Sequence, residues 1–263
     1  MMPRWNLNPD YAQLAADFGS LEAVFALRGE KLTSDPRSEV IRVERAGVRY
    51  YVKRYGAGVR RVKNWRLHWR RYLRHFLLDF LPRPRVKAEW QNLEKFAKWN
   101  IPVPEIVAWG MERRCGAFYR GALITRELVG AEDLARLASQ GDPRFSDAKW
   151  VQRVSRQIAA HTRTLHENRF IHNDLKWRNI LVDQSDKVWF IDCPLGMRWF
   201  GVMLAHRQIK DLACLDKLAR RYLTASQRLR FYRFYRRYPA KRRLDAADKQ
   251  RIRAIVHFFK EEA

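Results

Sequence analysis

The sequence has little of several features that define other classes of protein. It contains three cysteines, Cys115, Cys193 and Cys214, too few and too scattered for a disulfide framework or a paired-cysteine metal site. No stretch approaches 18 apolar residues, so we expect nothing to span a bilayer. The N-terminus lacks the apolar segment that a secretory signal needs. These absences favour a folded intracellular protein whose contact with any membrane is peripheral.

Acidic residues are scarce in two segments that carry nearly all of the net charge. The 263 residues include 53 Lys and Arg against 28 Asp and Glu, a net charge of +25. Residues 53–87 have twelve basic residues and one acid, and residues 217–243 have eleven basic residues and no acid, so each contributes +11. Because the remainder is nearly neutral, the positive charge is concentrated in these two segments, which suits binding to an anionic surface.

Aromatic residues in the first basic segment recur at helical spacing. Steps of four, three, four and four place five of them on one face of a predicted helix, with arginines mostly elsewhere around it. The five are Trp65, Trp69, Tyr72, Phe76 and Phe80. This stripe either packs on the protein's own core or contacts lipid head groups or nucleic acid. Residues 228–238 repeat the mixture with a blurred period and predict a C-terminal helix before Pro239.

The remaining pattern predicts strands first and helices later. Apolar runs at 40–44 and 48–55 flank Ala46-Gly47, which is a hairpin signal, and a helix is expected over Arg85–Trp99. Further predicted elements are a hairpin from 117–119 and 122–128, a helix over 147–168, strands at 180–182 and 188–191, and a helix over 245–260. This order is typical of an α+β fold. We expect a small sheet-containing lobe over 1–128, with the basic helix inserted near 57–85, and a larger helical lobe over 129–263, with the site between them.

One stretch carries most of the chemical information. His172-Asn-Asp174 is followed by Asn179, and Asp192 comes thirteen residues later at the end of the next apolar strand. A hairpin can bring two carboxylates and an amide together, and such oxygen ligands suit Mg²⁺ that carries nucleotide phosphates. The pattern resembles the catalytic loop and metal-binding aspartate of the protein kinases.

That resemblance implies two further residues in the first lobe. Lys53, in the alternating run Tyr-Tyr-Val-Lys, would hold the α and β phosphates of ATP, and an acid on the next helix would orient it. Glu89 and Glu94 compete for the second role. We favour Glu89 because its neighbours Ala88, Trp90 and Leu93 are apolar, which indicates that this turn of the helix faces the protein interior.

Residues 28–215 as a whole are similar to the bacterial kinases that phosphorylate lipopolysaccharide core sugars, heptose or Kdo. The resemblance rests on Val52-Lys53, Glu89, the Ile-Pro-Val-Pro at 101–104, the run 124–130, residues 172–179 and Asp192. It implies a two-lobed protein-kinase-like fold, ATP as phosphate donor, and work on an anionic glycolipid at the cytoplasmic face of the inner membrane. By position, Asp174 would orient or deprotonate the sugar hydroxyl, Lys176 would neutralise the transferred phosphoryl group, and Asn179 and Asp192 would hold Mg²⁺. Backbone groups around Glu127 and Val129 would meet adenine.

The sequence also departs from the kinase pattern. It has no glycine-rich phosphate loop, so backbone groups helped by Ser34, Arg37 or Ser38 would have to cover the phosphates. Only eighteen residues separate Asp192 from Asp211, which leaves little room for an activation loop and argues against a switched protein kinase. We interpret Asp211 as a brace of the catalytic loop and His172 as a structural histidine satisfied by backbone groups.

Three functions fit these observations. The first is the lipopolysaccharide core kinase. The second is a kinase-like protein of RNA metabolism, whose basic residues would bind the phosphate backbone; the helical period of the aromatics and the many tryptophans make nucleic acid the less favoured partner. The third is a non-catalytic scaffold with a degenerate nucleotide site, which the retained Lys53, Asp174, Asn179 and Asp192 disfavour.

Overall fold

The computed structural model describes residues 4–35, 38–56, 83–239 and 241–259. The chain forms two compact units, the first of residues 1–91 and 104–127 and the second of residues 92–103 and 128–263. Residues 92–103 thus join the second unit, although the sequence boundary near 128 assigned them to the first. Arg37 and the aromatic stripe from Trp65 to Phe80 lie outside the described residues, and both interpretations of the stripe stay predictions.

Within the described residues, the first unit is built on a six-stranded antiparallel sheet. In chain order its strands are β1 Arg4–Leu7, β2 Glu30–Asp35, β3 Ser38–Arg45, β4 Val48–Gly56, β5 Ile106–Arg114 and β6 Ala117–Arg126. Their order across the sheet is β1-β5-β6-β4-β3-β2. Two short helices, α1 Ala15–Phe18 and α2 Leu21–Ala26, contribute Phe18, Leu21 and Val24 to the core that the sheet covers.

The hairpin between β3 and β4 confirms the signal at Ala46-Gly47. Both turn residues have positive φ, 49° and 73°, and Arg45 pairs with Val48 across the turn. A two-residue turn of this hand matches the twist of the strands it joins, which fixes their register. Lys53 is thereby placed opposite Val40 on β3 and Leu123 on β6.

The prediction of a hairpin from 117–119 and 122–128 was wrong, because the turn lies elsewhere. The structure has one long strand, β6, where the sequence suggested two arms, and β6 pairs with β5 around a turn at Cys115-Gly116. Gly121 falls between the two predicted strands, but it lies within β6 opposite Met111. A Cβ there would lie 2.8 Å from the Gly110 oxygen and 2.8 Å from Val86 Cγ1, so the glycine marks a close approach of the backbone.

Helix α3, Arg85–Lys98, confirms the helix predicted after the basic segment. It ends as expected at Asn100, whose φ of 55° is left-handed. The Ile101 N–H donates to the Phe96 oxygen at 2.9 Å and the Asn100 N–H to the Ala97 oxygen at 3.0 Å. This pair of bonds is the Schellman ending, in which asparagine substitutes for glycine.

The described part of the second unit is mainly helical. Its helices are α4 Leu134–Ser139, α5 Ala148–Glu167, α6 Gly201–Tyr222, α7 Ala225–Tyr235 and α8 Ala246–His257. Its short strands are β7 Glu132–Asp133, β8 Phe170–Ile171, β9 Ile180–Val182, β10 Val188–Phe190 and β11 Met197–Arg198. Strands β10, β9 and β7 form one small sheet, and β11 pairs with β8. Asp147 and Asp245 cap α5 and α8, so both helices begin where the sequence predicts them.

The second basic segment is largely tied into its own unit. Arg228 donates to both oxygens of Asp216, at 2.7 and 2.9 Å, and Arg220 donates to the same carboxylate at 2.8 Å. Tyr232 and Tyr235 are buried in a core between α5, α6 and α8. Much of the aromatic and basic pattern at 228–238 therefore serves internal packing. No helix among the described residues is both long and apolar enough to cross a membrane.

Candidate active site

In the first unit the structure joins Lys53 to Glu89. The Lys53 ammonium lies 3.0 Å from both carboxylate oxygens of Glu89, and Tyr55 donates its hydroxyl to the same carboxylate. Glu89 is buried on α3, whereas Glu94, the competing acid, is exposed. A buried carboxylate needs a partner that compensates its lost hydration, and the lysine of β4 supplies it. The pair presents one ammonium group in a fixed position, as a phosphate-binding site requires.

In the second unit, Asp174 lies in the loop after β8. Its Oδ1 is 2.5 Å from the Lys176 ammonium and its Oδ2 is 3.6 Å from Arg178. Burial alone would raise the pKa of this carboxyl, but Lys176, Arg178 and Asn179 together outweigh burial and hold the pKa below its usual value. Asp174 is therefore ionised at neutral pH.

Asn179 closes the loop back onto Asp174. Its amide nitrogen donates to the Asp174 carbonyl at 2.8 Å and to the Asp174 carboxylate at 3.3 Å. Because the donor side of the amide is used in this way, the amide oxygen is the atom suited to a cation. The Asn179 carbonyl also accepts from the Ile191 N–H at 3.0 Å, one residue before Asp192.

The hairpin of β9 and β10 explains why Asn179 and Asp192 occur at this spacing. Phe190 pairs with Ile180, so the residues just outside that pair, on both strands, meet at one end of the hairpin. Asp192 has a left-handed φ of 55°, which bends the chain directly after the strand. One carboxylate and one amide suit Mg²⁺, because this ion keeps several waters and takes its other ligands from phosphates. Within the described residues, no three His, Cys, Asp or Glu side chains cluster as a metal site on their own.

Asp211 holds the backbone of the same loop. It is fully buried on α6 and accepts from the N–H groups of His172 at 2.8 Å and Asn173 at 3.0 Å. His172 is also fully buried, and burial lowers its pKa against the opposing effect of Asp211, so the ring is neutral. Backbone groups do not satisfy the ring as expected: among the described residues neither ring nitrogen has a hydrogen-bond partner.

The predicted adenine-binding residues lie on either side of the boundary between the units. The Glu127 N–H donates to the Arg49 carbonyl at 2.9 Å, and its carboxylate accepts from the Tyr51 hydroxyl at 3.2 Å. Val129 is 84% exposed. Of the residues considered for phosphate cover, Ser34 and Ser38 lie on paired strands, β2 and β3. Their role and that of Glu127 and Val129 stay predictions.

Sequence reasoning missed two asparagines that hold the loop after Asp192. Asn92 on α3 donates to the carbonyls of Cys193 and Gly196, and Asn173 donates to the carbonyl of Leu195. Asn92 has no exposed surface. The available signal was a polar residue among the apolar positions Trp90, Leu93 and Phe96, but the sequence gives no indication of a partner about a hundred positions away.

These features define a protein-kinase-like fold: a sheet with a lysine–glutamate pair, followed by a helical unit with a catalytic-type loop and a later aspartate. A solved structure of WaaP in complex with acyl carrier protein matches with a TM-score of 0.69 at 20% identity, covering 98% of this chain and 97% of that one. The chain belongs to the lipopolysaccharide kinase (Kdo/WaaP) family, whose model matches residues 36–235.

Several curated relatives are 3-deoxy-D-manno-octulosonic acid kinases. The protein of Actinobacillus succinogenes is 32% identical over 115 residues, which are 43% of this chain and 45% of that protein. The protein of Pasteurella multocida is 29% identical over 133 residues, 48% of this chain and 52% of the relative. The chain spans about half the length of the curated relatives it matches.

Proposed function

We propose that this protein is an ATP-dependent kinase that phosphorylates a sugar hydroxyl, of heptose or Kdo, in the inner core of lipopolysaccharide. The observation that carries the proposal is the loop of Asp174, Lys176 and Asn179 in a chain of the lipopolysaccharide kinase family. The Lys53–Glu89 pair supplies the second element that phosphoryl transfer from ATP needs.

Lys53 binds the phosphates of ATP, and Glu89 keeps its ammonium in place. Asn179 and Asp192 would hold Mg²⁺, which when bound neutralises charge on the phosphates. Glu127 and Val129 would contribute backbone contacts to adenine.

Asp174 acts on the acceptor hydroxyl. Because its pKa lies below the usual value, Asp174 is a weak base, and it accepts a hydrogen bond from the hydroxyl before it accepts the proton. Phosphoryl transfer passes through a loose transition state, so the proton moves late and a strong base is not needed. Lys176, whose ammonium is 2.5 Å from Asp174, would balance the charge of the transferred group.

The test is transfer of labelled γ-phosphate to purified core acceptors by the wild type, Asp174→Asn and Asp192→Asn. Asparagine keeps the size of both side chains and tolerates the left-handed φ of residue 192. We expect each variant to lose activity by a factor on the order of 10²–10⁴. Asp186→Asn is the matched control, since Asp186 has a φ of 64° in the same hairpin but pairs with Trp150 and Arg153.

Activity of both variants within a few-fold of the wild type would contradict the assignment. Parallel acceptors that end in Kdo and in heptose separate the two sugars, and mass spectrometry of the product locates the phosphate. Transfer to a generic protein substrate with none to either glycolipid would favour a protein kinase.

Peripheral association with an anionic membrane is part of the proposal and is supported by the charge of residues 53–87. We expect replacement of four arginines by glutamine to weaken flotation with anionic vesicles and to spare ATP binding. The four are Arg66, Arg70, Arg71 and Arg74. A control that replaces the exposed Arg113, Arg136, Arg153 and Arg253 removes the same charge elsewhere. Tight, salt-sensitive RNA binding without vesicle binding would favour the RNA alternative.

We further propose that the second unit accepts an acyl chain, as delivered by an acyl carrier protein, the partner in the WaaP structure. A cavity of about 390 Å³ lies among α5, α6, α7 and α8 and is lined mainly by apolar side chains, among them Ile158, Leu215 and Ile255. An apolar occupant is favoured there because it removes the apolar lining from water, which stabilises by roughly 25 cal/mol per Å² of apolar surface buried.

Titration with purified acyl carrier protein, with and without its chain, tests this. We expect the acylated form to bind at least about tenfold tighter, a difference of about 1.4 kcal/mol. Ala219→Phe in the cavity lining should abolish the preference, whereas Ala205→Phe on the exposed side of α6 should keep it. Equal binding of both forms by the wild type would contradict the proposal.

A further inference from the structure

The four residues after Asp192 form a loop whose carbonyls are held by two amide side chains. Asn92 donates both of its amide hydrogens to this loop, to the Cys193 carbonyl at 2.8 Å and to the Gly196 carbonyl at 2.9 Å. Asn173 donates to the carbonyl between them, that of Leu195, at 2.8 Å. The loop is therefore held by side chains from α3 and from the segment that carries Asp174.

Asn92 is an unusual residue for the inside of a helix. It is completely buried, and an amide without hydrogen bonds in such a place costs roughly 1–3 kcal/mol. Both donors are used by the loop, and its oxygen accepts from Lys95 at 3.4 Å. Both amide hydrogens therefore have a carbonyl partner within residues 193–196.

The loop is closely packed at Gly196 and has a strained backbone at Asp192. A side chain at Gly196 would collide with Cys193 Sγ and would lie 2.8 Å from Phe170 Cε1. At the start of the loop, Asp192 is in the left-handed region, which costs on the order of 1–2 kcal/mol for a residue other than glycine. The surrounding contacts must maintain that conformation.

We propose that Asn92 is a positioning residue: by bonding the carbonyls of Cys193 and Gly196 it fixes the backbone at Asp192, and so the direction of the carboxylate that would hold Mg²⁺. Asn173 supports the same loop through Leu195. The effect on Mg²⁺ binding rests on the proposed function, but the brace, by which we mean the two hydrogen bonds from Asn92 to the loop, does not. In the protein-kinase pattern this loop begins Asp-Phe-Gly, and here buried amide hydrogen bonds hold an Asp-Cys-Pro-Leu-Gly loop.

The first measurement is hydrogen exchange over residues 192–198 in the full chain. Asn92→Leu keeps the size of the side chain and removes both donors, and we expect exchange in this segment to become at least about tenfold faster. Asn173→Gly keeps the positive φ of 64° and removes only the bond to Leu195, so a smaller increase is expected there. Asn168→Leu is the control, because its amide donates to the Thr164 carbonyl at the end of α5.

The second measurement separates positioning from general stability. We expect Asn92→Leu to raise the Mg²⁺ concentration for half-maximal binding of a non-hydrolysable ATP analogue by about 10–100-fold, as loss of an outer-shell contact does. Binding of the analogue without metal should be unchanged. Asn168→Leu should leave both quantities as in the wild type.

Hydrogen exchange tests whether Asn92 holds the loop, and the Mg²⁺ requirement tests whether this hold positions Asp192. Unchanged exchange at 192–198 in Asn92→Leu would overturn the brace, whatever the enzyme does. Faster exchange with an unchanged Mg²⁺ requirement would overturn its role at Asp192. Absence of ATP binding in the wild type would instead refute the proposed function, and the exchange result would still decide the brace.

Discussion

Replacement of Lys176 by methionine tests how charge is balanced in the catalytic loop. The Lys176 ammonium is 2.5 Å from Asp174 Oδ1, whereas Arg178 is 3.6 Å from the other oxygen. Methionine keeps most of the length of the side chain and removes the nearer positive charge. Asp174 then keeps its burial, which raises its pKa, without the main interaction that lowers it.

The expected change in stability is small and depends on pH. The lysine side chain is 48% exposed, and ion pairs with so exposed a partner contribute on the order of 0.2–1 kcal/mol. The pKa of Asp174 is lower in the folded protein than in the unfolded chain, where it is about 3.9. Its contribution is therefore present above that value and is lost as pH falls through the folded pKa. Wild type and variant should differ by up to about 1 kcal/mol at pH 7 and converge in acid.

Urea denaturation over a pH series measures the change in stability, and the pH dependence of kcat/KM measures the change in the pKa of Asp174. We expect the acid limb of kcat/KM to move to higher pH in Lys176→Met, because the carboxylate is protonated more easily. Lys176→Arg keeps the charge and should leave the limb near its wild-type position. A stability difference that is constant with pH, together with an unmoved acid limb, would refute the reasoning.

Two further predictions concern buried carboxylates. Lys53→Met leaves the Glu89 carboxylate buried without its lysine and should reduce the free energy of unfolding by about 3 kcal/mol, measured by urea denaturation, and weaken ATP binding. Adding Glu89→Gln should recover the stability and not the binding; no recovery would show that the charge is not the cause. Asp211→Asn can accept only one of the two N–H groups well, so we expect a loss of roughly 2 kcal/mol and faster hydrogen exchange at residues 172–173. Asp216→Asn, at a partly exposed carboxylate, should cost less in the same assay.

Local signals in the sequence were sufficient for much of the fold and for the identity of the loop residues. The Ala46-Gly47 turn, the end of α3 before Asn100 and the start of α5 after Asp147 depend on neighbours within a few positions, and all three occur as expected. The residue order from Asp174 to Asp192 also has a local basis, because β9 and β10 are a short hairpin.

Features that depend on distant parts of the chain escaped sequence reasoning. Strand β5 was missed, and β6 was divided at residues 120–121. Gly110 and Gly121 lie in these strands where another backbone comes close, which depends on pairing and not on local sequence. Asn92 was passed over because polar residues on helices are usually solvated, and its partners lie 101 and 104 positions away. The pairing of Lys53 with Glu89 was reached only through resemblance to a known family.

Gly196 packs against Cys193 and Phe170, so the effect of a substitution at one of these three positions should depend on the residues at the other two. A methyl group at residue 196 has no room while Cys193 and Phe170 keep their present sizes. Gly196→Ala should therefore be harmful alone and less harmful beside Cys193→Ala or Phe170→Leu. In laboratory evolution that starts from Gly196→Ala, stability should be recovered by substitutions at residue 193 or 170. A larger residue at 196 should therefore be tolerated only after one of these neighbours has become smaller.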